Sequence, residues 1–242
     1  MDASDRLAVG LDVPDLAAAE ALIASLAGVP GWFKVGSELF TAAGPPALEA
    51  AGRGARVFLD TKLHDIPNTV ARSVAAATRH GVGMLTLHAS GGGAMLRAAA
   101  EAAAETADAA GCPPPLLVGV TVLTSLSAGE LTEVGVTADE VEEQVARLVD
   151  VCLSAGLDGV VTSPHEVAAV RRLAGDTLRI VTPGVRPADW PADDQARTAT
   201  AGAAVAAGAD LVVVARPVIH APDPARAARQ LVAEIEAVLA AS

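Results

Sequence analysis

Lysine and aromatic side chains are scarce in this chain. Its 242 residues include two lysines against fifteen arginines, with three Phe, two Trp and no Tyr. So few aromatic residues argue against the base-stacking platforms that bind single-stranded nucleic acid. The net charge of −12 argues against nucleic acid or an anionic membrane as the partner, because both require a basic protein face.

Membrane, export and metal-binding signals are also missing. The sequence contains no run of about 18 uncharged apolar residues, so we predict no membrane span. The acidic start, from Met1 to Arg6, lacks the basic and apolar stretches of a signal peptide. The two cysteines, Cys112 and Cys152, are typical of reduced thiols and not of a disulfide framework. No Cys/His cluster has metal-ligand spacing. We therefore expect a cytoplasmic protein without a bound metal.

What the sequence does contain is a regular alternation of apolar runs and Ala-rich stretches. The apolar runs, which predict strands, are residues 7–12, 32–35, 57–60, 84–88, 116–123, 159–162, 179–182 and 211–215. The stretches with helical spacing are residues 15–26, 37–51, 68–80, 93–109, 137–155, 165–173, 195–207 and 224–241. Because the strands are continuously apolar, they are typical of parallel strands covered on both faces.

Eight strand–helix units predict a single (β/α)8 barrel domain over residues 1–242. Gly81, Gly156 and Gly208 each stand between a helix and the next strand, where glycine accepts a left-handed helix stop. A doubly wound open sheet is the alternative. No Gly-x-Gly-x-x-Gly follows the first strand, which weakens the dinucleotide-binding function that such a sheet would suggest.

Polar residues collect where the predicted strands end, which is where a barrel of this type places its active site. They are Asp12, Lys34, Asp60, Lys62, Asp65, Thr124, Ser125, Arg186 and Arg216. Lysine, unlike arginine, can give up its proton. Asp60 and Lys62 are two residues apart on one strand, so we expect them on the same face. Alternating Asp and Lys from adjacent strands favours a proton-transfer site over a surface ion-pair cluster.

The ends of strands 7 and 8 favour a phosphate site. Barrels often bind phosphate there through backbone N–H groups and a helix N-terminus. Arg186 follows strand 7 and Arg216 follows strand 8. Between them, the segment of about 186–197 is rich in Pro and Asp, and we predict that it is a mobile lid carrying Gln195.

Residues 60–69, with the sequence DTKLHDIPNT, resemble the signature of the orotidine 5′-phosphate decarboxylase family. The resemblance runs from about residue 7 to 218 and includes GLD at 10–12, FKVG at 33–36, HASGG at 88–92, TVLTS at 121–125, VTPGVRP at 181–187 and DQAR at 194–197. The Asp-x-Lys-x-x-Asp core is shared with related sugar-phosphate barrels, whereas IPNT at 66–69 is more specific. Ala215 is a departure, since the family usually has Gly before the strand 8 Arg.

The resemblance implies a (β/α)8 barrel that converts orotidine 5′-phosphate to uridine 5′-phosphate and CO2 without metal or organic cofactor. It implies that Lys62 donates the proton and that Asp60 keeps it charged, together with Asp65 of the partner subunit. Asp12 and Lys34 would hold the ribose hydroxyls and complete the charge chain.

The remaining expected site residues serve the dimer, the phosphate and the base. The resemblance implies a homodimer in which Asp65 and Thr69 reach into the neighbouring site. The motif residues Ile66 and Pro67 are carried over with them as substrate-binding residues. The phosphate would be bound by Arg186, Gln195, the Ala215 amide and Arg216, and the pyrimidine edge by Thr124 and Ser125.

Two other functions remain open at the level of sequence. One is a Mg²⁺-dependent sugar-phosphate lyase of the same barrel family, against which the IPNT segment speaks. The other is a non-catalytic nucleotide-binding barrel, which would not need a proton donor. His64 and His88 are expected to be non-catalytic.

Overall fold

Eight parallel strands follow one another in chain order around a closed barrel in the computed structural model of this chain, which describes residues 2–137, 141–187 and 199–241. The strands are β1 (Leu7–Gly10), β2 (Trp32–Gly36), β3 (Arg56–Leu63), β4 (Met84–His88), β5 (Leu116–Val120), β6 (Gly159–Val161), β7 (Arg179–Thr182) and β8 (Leu211–Val214). Strand β8 pairs with β1 and closes the barrel. The predicted (β/α)8 architecture is confirmed.

Helices connect the strands over the described ranges. They are α1 (Leu16–Ser25), α2 (Ser37–Ala43), α3 (Pro45–Gly52), α4 (Pro67–Arg79), α5 (Gly92–Ala110), α6 (Ala128–Glu133), α7 (Val141–Ala155), α8 (Val167–Ala174), α9 (Ala201–Ala206), α10 (Arg216–Ile219) and α11 (Pro224–Ala241). Two short 3₁₀ turns, Ser4–Arg6 and Ala89–Gly91, precede β1 and α5.

Alternation along the strands divides the apolar core into two layers. Phe58 of β3 belongs to a small cluster that fills the barrel, whereas its neighbours Val57 and Leu59 pack in the larger cluster with the helices. Successive strand residues point to opposite faces, so both faces of each strand are buried. The inner cluster also forms the floor beneath the strand C-termini.

Trp32 closes the opposite end of the barrel. Its indole N–H donates to the Asp5 carbonyl at 3.2 Å, and the Arg56 guanidinium lies 4.2 Å from the ring centroid. Arg56 also pairs with the Asp5 carboxylate. These contacts hold the N-terminal turn against the start of β2 and β3.

Two similar Gly-x-Asp segments, residues 156–158 before β6 and residues 208–210 before β8, have a common role. Gly156 and Gly208 have φ values of +75° and +113°, as expected for left-handed helix stops. The Asp158 carboxylate then accepts the Leu117 backbone N–H, and the Asp210 carboxylate accepts the Ile180 N–H, each at 2.8 Å. Each aspartate therefore ties the start of its own strand to the start of the preceding one.

Several predicted boundaries were wrong. The single helix expected over 37–51 is broken at Gly44, whose φ is +62°, and α3 begins at the following proline. Strand β5 ends at Val120 and not at residue 123, and β1 ends at Gly10 and not at residue 12. Helices α6 and α10 were not predicted. The starts expected for the helices over 137–155 and 195–207, and most of the predicted lid, involve residues outside the described ranges.

Candidate active site

A cavity of about 220 Å³ opens at the C-terminal ends of the strands. Its charged lining comprises Asp12, Lys34, Asp60, Lys62, Arg186 and Arg216. Its apolar lining includes Phe58, Val120, Val181 and Val213. The structure therefore brings together ionic residues that are widely separated in the sequence, above a floor built by the barrel interior.

Four of these side chains, from β2, β3 and the loop just after β1, form a chain of alternating charge. Lys34 Nζ lies 3.0 Å from Asp12 Oδ1 and 3.6 Å from Asp60 Oδ2. Lys62 Nζ lies 2.9 Å from Asp60 Oδ1. Each ammonium is thus next to a carboxylate, and Asp60 bridges the two lysines with its two oxygens.

The neighbours in this chain favour the ionised form of its two most buried members. Burial alone would lower the pKa of Lys34, but the charges of Asp12 and Asp60 and hydrogen bonds to them raise it above its ordinary value. Burial alone would raise the pKa of Asp60, but the Lys34 and Lys62 ammonium groups and hydrogen bonds from Lys62 and Thr86 hold it below its ordinary value. Attraction to opposite charges outweighs desolvation in both cases.

Lys62 lies in an irregular part of β3. Its φ of +50° is the one positive value for a non-glycine residue within the described ranges. The prediction that Asp60 and Lys62 share a face agrees with their contact, but the assumed regular strand geometry was wrong. The pairing of β3 with β4 shifts between Leu59 and Leu63.

Thr86 of β4 is a site neighbour that sequence reasoning missed. Its buried hydroxyl contacts both the Lys62 backbone and the Asp60 carboxylate. The signal available in the sequence was a single hydroxyl within the otherwise apolar strand Met84–His88. Its neighbours in the strand, Leu85 and Leu87, belong to the larger apolar cluster that packs with the helices.

The expected phosphate residues lie across the barrel from Lys62. In the strand order, β7 is opposite β3, and β8 follows β7. Arg186, Ala215 and Arg216 line the cavity on that side, and Arg216 is the first residue of α10. Gln195 lies outside the described residues.

The expected base-contacting pair is only partly brought to the cavity. Thr124 lines it together with Leu123, whereas Ser125 is not among the lining residues. Thr124 and Ser125 were expected directly after a strand ending at residue 123, but β5 ends at Val120 and the two residues lie in a turn beyond it.

The segment after β3 points away from the cavity of its own chain. Asp65, Ile66, Pro67 and Thr69 are exposed and absent from the lining, and Ile66 is 66% exposed. The Asp65 carboxylate accepts the Ile66 backbone N–H at 2.6 Å, at the start of α4. Within one chain, these four predicted site residues do not join the others.

His64 and His88 form a pair beside the site. Their ring centroids are 5.3 Å apart. Burial, followed by the nearby His64 and Lys62, lowers the pKa of His88 below its ordinary value. The shift favours the neutral imidazole form of His88 over its charged form.

The described part of the chain offers neither a metal-binding cluster nor a membrane-spanning helix. No cluster of three or more His, Cys, Asp or Glu residues there could hold a metal ion. Likewise, none of the helices over residues 2–137, 141–187 and 199–241 has the length and apolar character needed to cross a membrane.

Comparisons with known proteins agree over nearly the whole chain. The profile of the "Orotidine 5'-phosphate decarboxylase / HUMPS family" matches residues 5–231. The orotidine 5′-phosphate decarboxylase of Moorella thermoacetica is 53% identical over 98% of this chain and 95% of its own. That of Syntrophotalea carbinolica is 49% identical over 99% and 98%. The crystal structure of the Lactobacillus acidophilus orotidine 5′-phosphate decarboxylase superposes with a TM-score of 0.82 at 34% identity, covering 96% of this chain and 99% of the other.

Proposed function

The chain belongs to the Orotidine 5′-phosphate decarboxylase / HUMPS family, and we infer from this membership how its cavity converts orotidine 5′-phosphate to uridine 5′-phosphate and CO2. The activity is that of a cofactor-independent carboxy-lyase of pyrimidine biosynthesis. The observation that best supports the residue assignment is the alternating array of Asp12, Lys34, Asp60 and Lys62 within one cavity.

Lys62 has the properties that the chemical step requires. Loss of CO2 breaks the bond between C6 and the carboxylate and leaves the electron pair on C6, in an orbital that the pyrimidine ring delocalises poorly. A fixed ammonium stabilises this developing charge and then donates its proton to C6. Solvent returns a proton to Lys62 at the end of the cycle. Asp60, 2.9 Å from Lys62 Nζ, keeps the ammonium charged and oriented.

Lys34 and Asp12 hold the other end of the array. The Lys34 ammonium lies between two carboxylates, so it fixes Asp60 from the side opposite Lys62. Asp12, whose side chain is 41% exposed, offers its free oxygen to a ribose hydroxyl. Lys34 donates a further hydrogen bond to the ribose from its ammonium group.

Phosphate binding is assigned to the side of the cavity opposite Lys62. Arg216, Arg186 and the Ala215 amide bind the phosphate, and Gln195 adds a contact from the lid of about 186–197. Thr124 and Ser125 contact the pyrimidine edge. The phosphate is remote from C6, so its binding energy supports orientation and lid closure.

We propose that the active protein is a cytoplasmic homodimer. The exposed Asp65 and Thr69, which follow β3 without reaching their own cavity, enter the neighbouring subunit's site. Asp65 then stands on the far side of the partner's Lys62. Ile66, which is 66% exposed, and Pro67 are covered by the same contact.

The assignment is tested by the loss of ultraviolet absorbance of orotidine 5′-phosphate, with CO2 release measured in parallel, in the presence of EDTA. We expect stoichiometric uridine 5′-phosphate and unchanged turnover with EDTA. Turnover of a hexulose phosphate that requires Mg²⁺ would support the sugar-phosphate lyase instead. Tight nucleotide binding without CO2 release would support a non-catalytic barrel.

A further inference from the structure

Strand β3 loses its regular pairing with β4 at Asp60 and Lys62. These two residues, with Asp12 and Lys34, form the alternating set of charges that we call the lysine array. Leu59 pairs with Leu85, but the next pair is Leu63 with Leu87. Three residues of β3, 60–62, therefore lie opposite the single residue Thr86 of β4. The left-handed backbone of Lys62, with φ +50°, falls in this stretch. Such a conformation is unfavourable for a residue with a Cβ atom and persists only where the surrounding structure holds it.

The Thr86 hydroxyl makes two contacts with this stretch. It accepts the Lys62 backbone N–H at 2.9 Å and donates its proton to Asp60 Oδ1 at 3.0 Å. The donor roles follow from chemistry, because a backbone N–H can only donate and a hydroxyl has one proton to give. Asp60 Oδ1 also accepts a bond from Lys62 Nζ at 2.9 Å. A closed ring thus links the Lys62 backbone, the Thr86 hydroxyl, the Asp60 carboxylate and the Lys62 ammonium.

We propose that Thr86 is a positioning residue for the decarboxylation. Its hydroxyl holds the Lys62 backbone in the left-handed conformation and fixes the Asp60 carboxylate, which together set the position of Lys62 Nζ. The inference rests on the proposed function. Thr86 is fully buried and is not among the residues that line the cavity, so it acts through Lys62 and Asp60 and does not touch substrate.

A second buried threonine shows how a purely structural hydroxyl behaves. Thr78 near the end of α4 donates to the Val74 carbonyl of its own helix at 2.9 Å. It has no contact with the lysine array among its hydrogen bonds. The Thr86 hydroxyl instead donates to Asp60 and accepts from the Lys62 backbone, and both of these residues belong to the lysine array. Small displacements of a reacting group are costly in rate, so loss of the Thr86 hydroxyl affects the chemical step more than binding.

The test compares Thr86→Val, which keeps the branched shape and removes the hydroxyl, with Thr86→Ser, which keeps the hydroxyl. In Thr86→Val the Lys62 N–H loses its acceptor, and we expect kcat to fall about 10- to 100-fold while KM changes by less than about threefold. Thr86→Ser should retain kcat within about threefold. Thr78→Val is the matched control, with wild-type kcat expected. If Thr86→Val does not fold, Thr86→Ala replaces it, because Ala and Ser differ by the hydroxyl alone.

The outcomes separate this proposal from the assigned activity. An active wild type with equal kcat in the hydroxyl-free and hydroxyl-bearing variants would overturn the positioning role and leave the decarboxylase intact. A change confined to KM or to thermal stability would also overturn it, since that pattern reports a structural hydroxyl. A wild-type protein that releases no CO2 would contradict both the positioning role of Thr86 and the decarboxylase activity.

Discussion

At the scale of single residues, the two lysines differ in exposure although both lie in strands of the same barrel, Lys34 in β2 and Lys62 in β3. The Lys34 side chain is 11% exposed and lies between two carboxylates, whereas the Lys62 side chain is 34% exposed and has Asp60 as its carboxylate neighbour. A proton donor must reach both substrate and solvent, which fits Lys62. Lys34 is better placed to hold the array together.

Replacement of Lys34 should destabilise the fold in a pH-dependent way. In Lys34→Met, Asp60 loses one of the two ammonium groups that lower its pKa. The depressed pKa of Asp60 stabilises the native protein above the ordinary aspartate pKa of about 3.9, and this contribution disappears as pH falls through the native pKa. We therefore expect a loss of about 2–4 kcal/mol at pH 7 that becomes smaller only as pH falls below about 3.9, measured by chemical unfolding.

Arg53→Met provides the matched control for that measurement. Arg53 pairs with Glu20 at 2.7 Å, but both side chains are at least half exposed. Exposed pairs contribute roughly 0–1 kcal/mol, so this variant should lose little at either pH. A loss for Lys34→Met that stays the same as pH falls from 7 to about 3 would contradict the electrostatic role of Lys34.

The two thiols should differ in reactivity. Burial raises the pKa of Cys152 to about 12, whereas Cys112 is partly exposed. Only the thiolate attacks a disulfide reagent. At pH 8 the native protein should therefore release about one equivalent of thionitrobenzoate from Ellman's reagent and two after denaturation. The Cys112→Ser variant should react only when unfolded; rapid reaction of native Cys112→Ser would contradict the burial of Cys152.

Residue chemistry explains which site members the sequence could predict. Asp12, Lys34, Asp60 and Lys62 were identifiable because charged residues at the ends of apolar strands must collect at one barrel mouth. Thr86 was missed, because one hydroxyl in an apolar strand is a weak signal and the role of Thr86 depends on an irregular pairing. The left-handed backbone of Lys62 has no sequence signature either, since glycine is the residue that usually marks it.

At the scale of elements, the end of β1 packs closely against the start of α10. A Cβ atom added at Gly10 would lie 2.9 Å from Ala215 Cβ, 3.2 Å from Asp12 Oδ2 and 3.2 Å from Lys34 Cε. The glycine therefore allows the phosphate side of the mouth and the lysine array to approach each other. Ala215 narrows this junction by one methyl group compared with a glycine at the same position.

The Gly10→Ala variant should lose activity because the new methyl group displaces its neighbours. We expect kcat/KM for orotidine 5′-phosphate to fall about tenfold or more. Adding Ala215→Gly removes the closest contact and should restore part of the loss. Gly52→Ala is the control, because its Cβ would meet Val57 Cγ2 at an ordinary 3.5 Å. A double variant no more active than Gly10→Ala would contradict the steric explanation.

Elements were predictable to different degrees for identifiable reasons. The eight strands were found because each is a buried apolar run, and the helix stops at Gly156 and Gly208 because glycine accepts positive φ. The break at Gly44 was missed because Ala-rich helical spacing continues on both sides of it. Helix α10 was missed because four residues are too few to show a helical period.

At the scale of the whole molecule, the outward direction of Asp65 and Thr69 requires a second subunit if they act on substrate. The homodimer is tested by mixing two inactive proteins, Asp65→Ala and Lys62→Ala. One of the two sites in a mixed dimer would contain both intact residues, so we expect activity to approach one quarter of wild type after free exchange of subunits. A mixture that stays inactive, although exchange is verified by mass, would contradict the shared site.

The central claim, that Lys62 in the strand-end array carries out the decarboxylation, is tested most directly by the kcat of Lys62→Ala with orotidine 5′-phosphate. Loss of the ammonium and its proton should raise the barrier by on the order of 4 kcal/mol or more, a rate loss of about a thousandfold or greater. The variant should still fold, because Lys62 lines the cavity and not the core, but its unfolding temperature should fall, since buried Asp60 loses one of its two ammonium neighbours. A folded Lys62→Ala protein with turnover within tenfold of wild type would contradict the account.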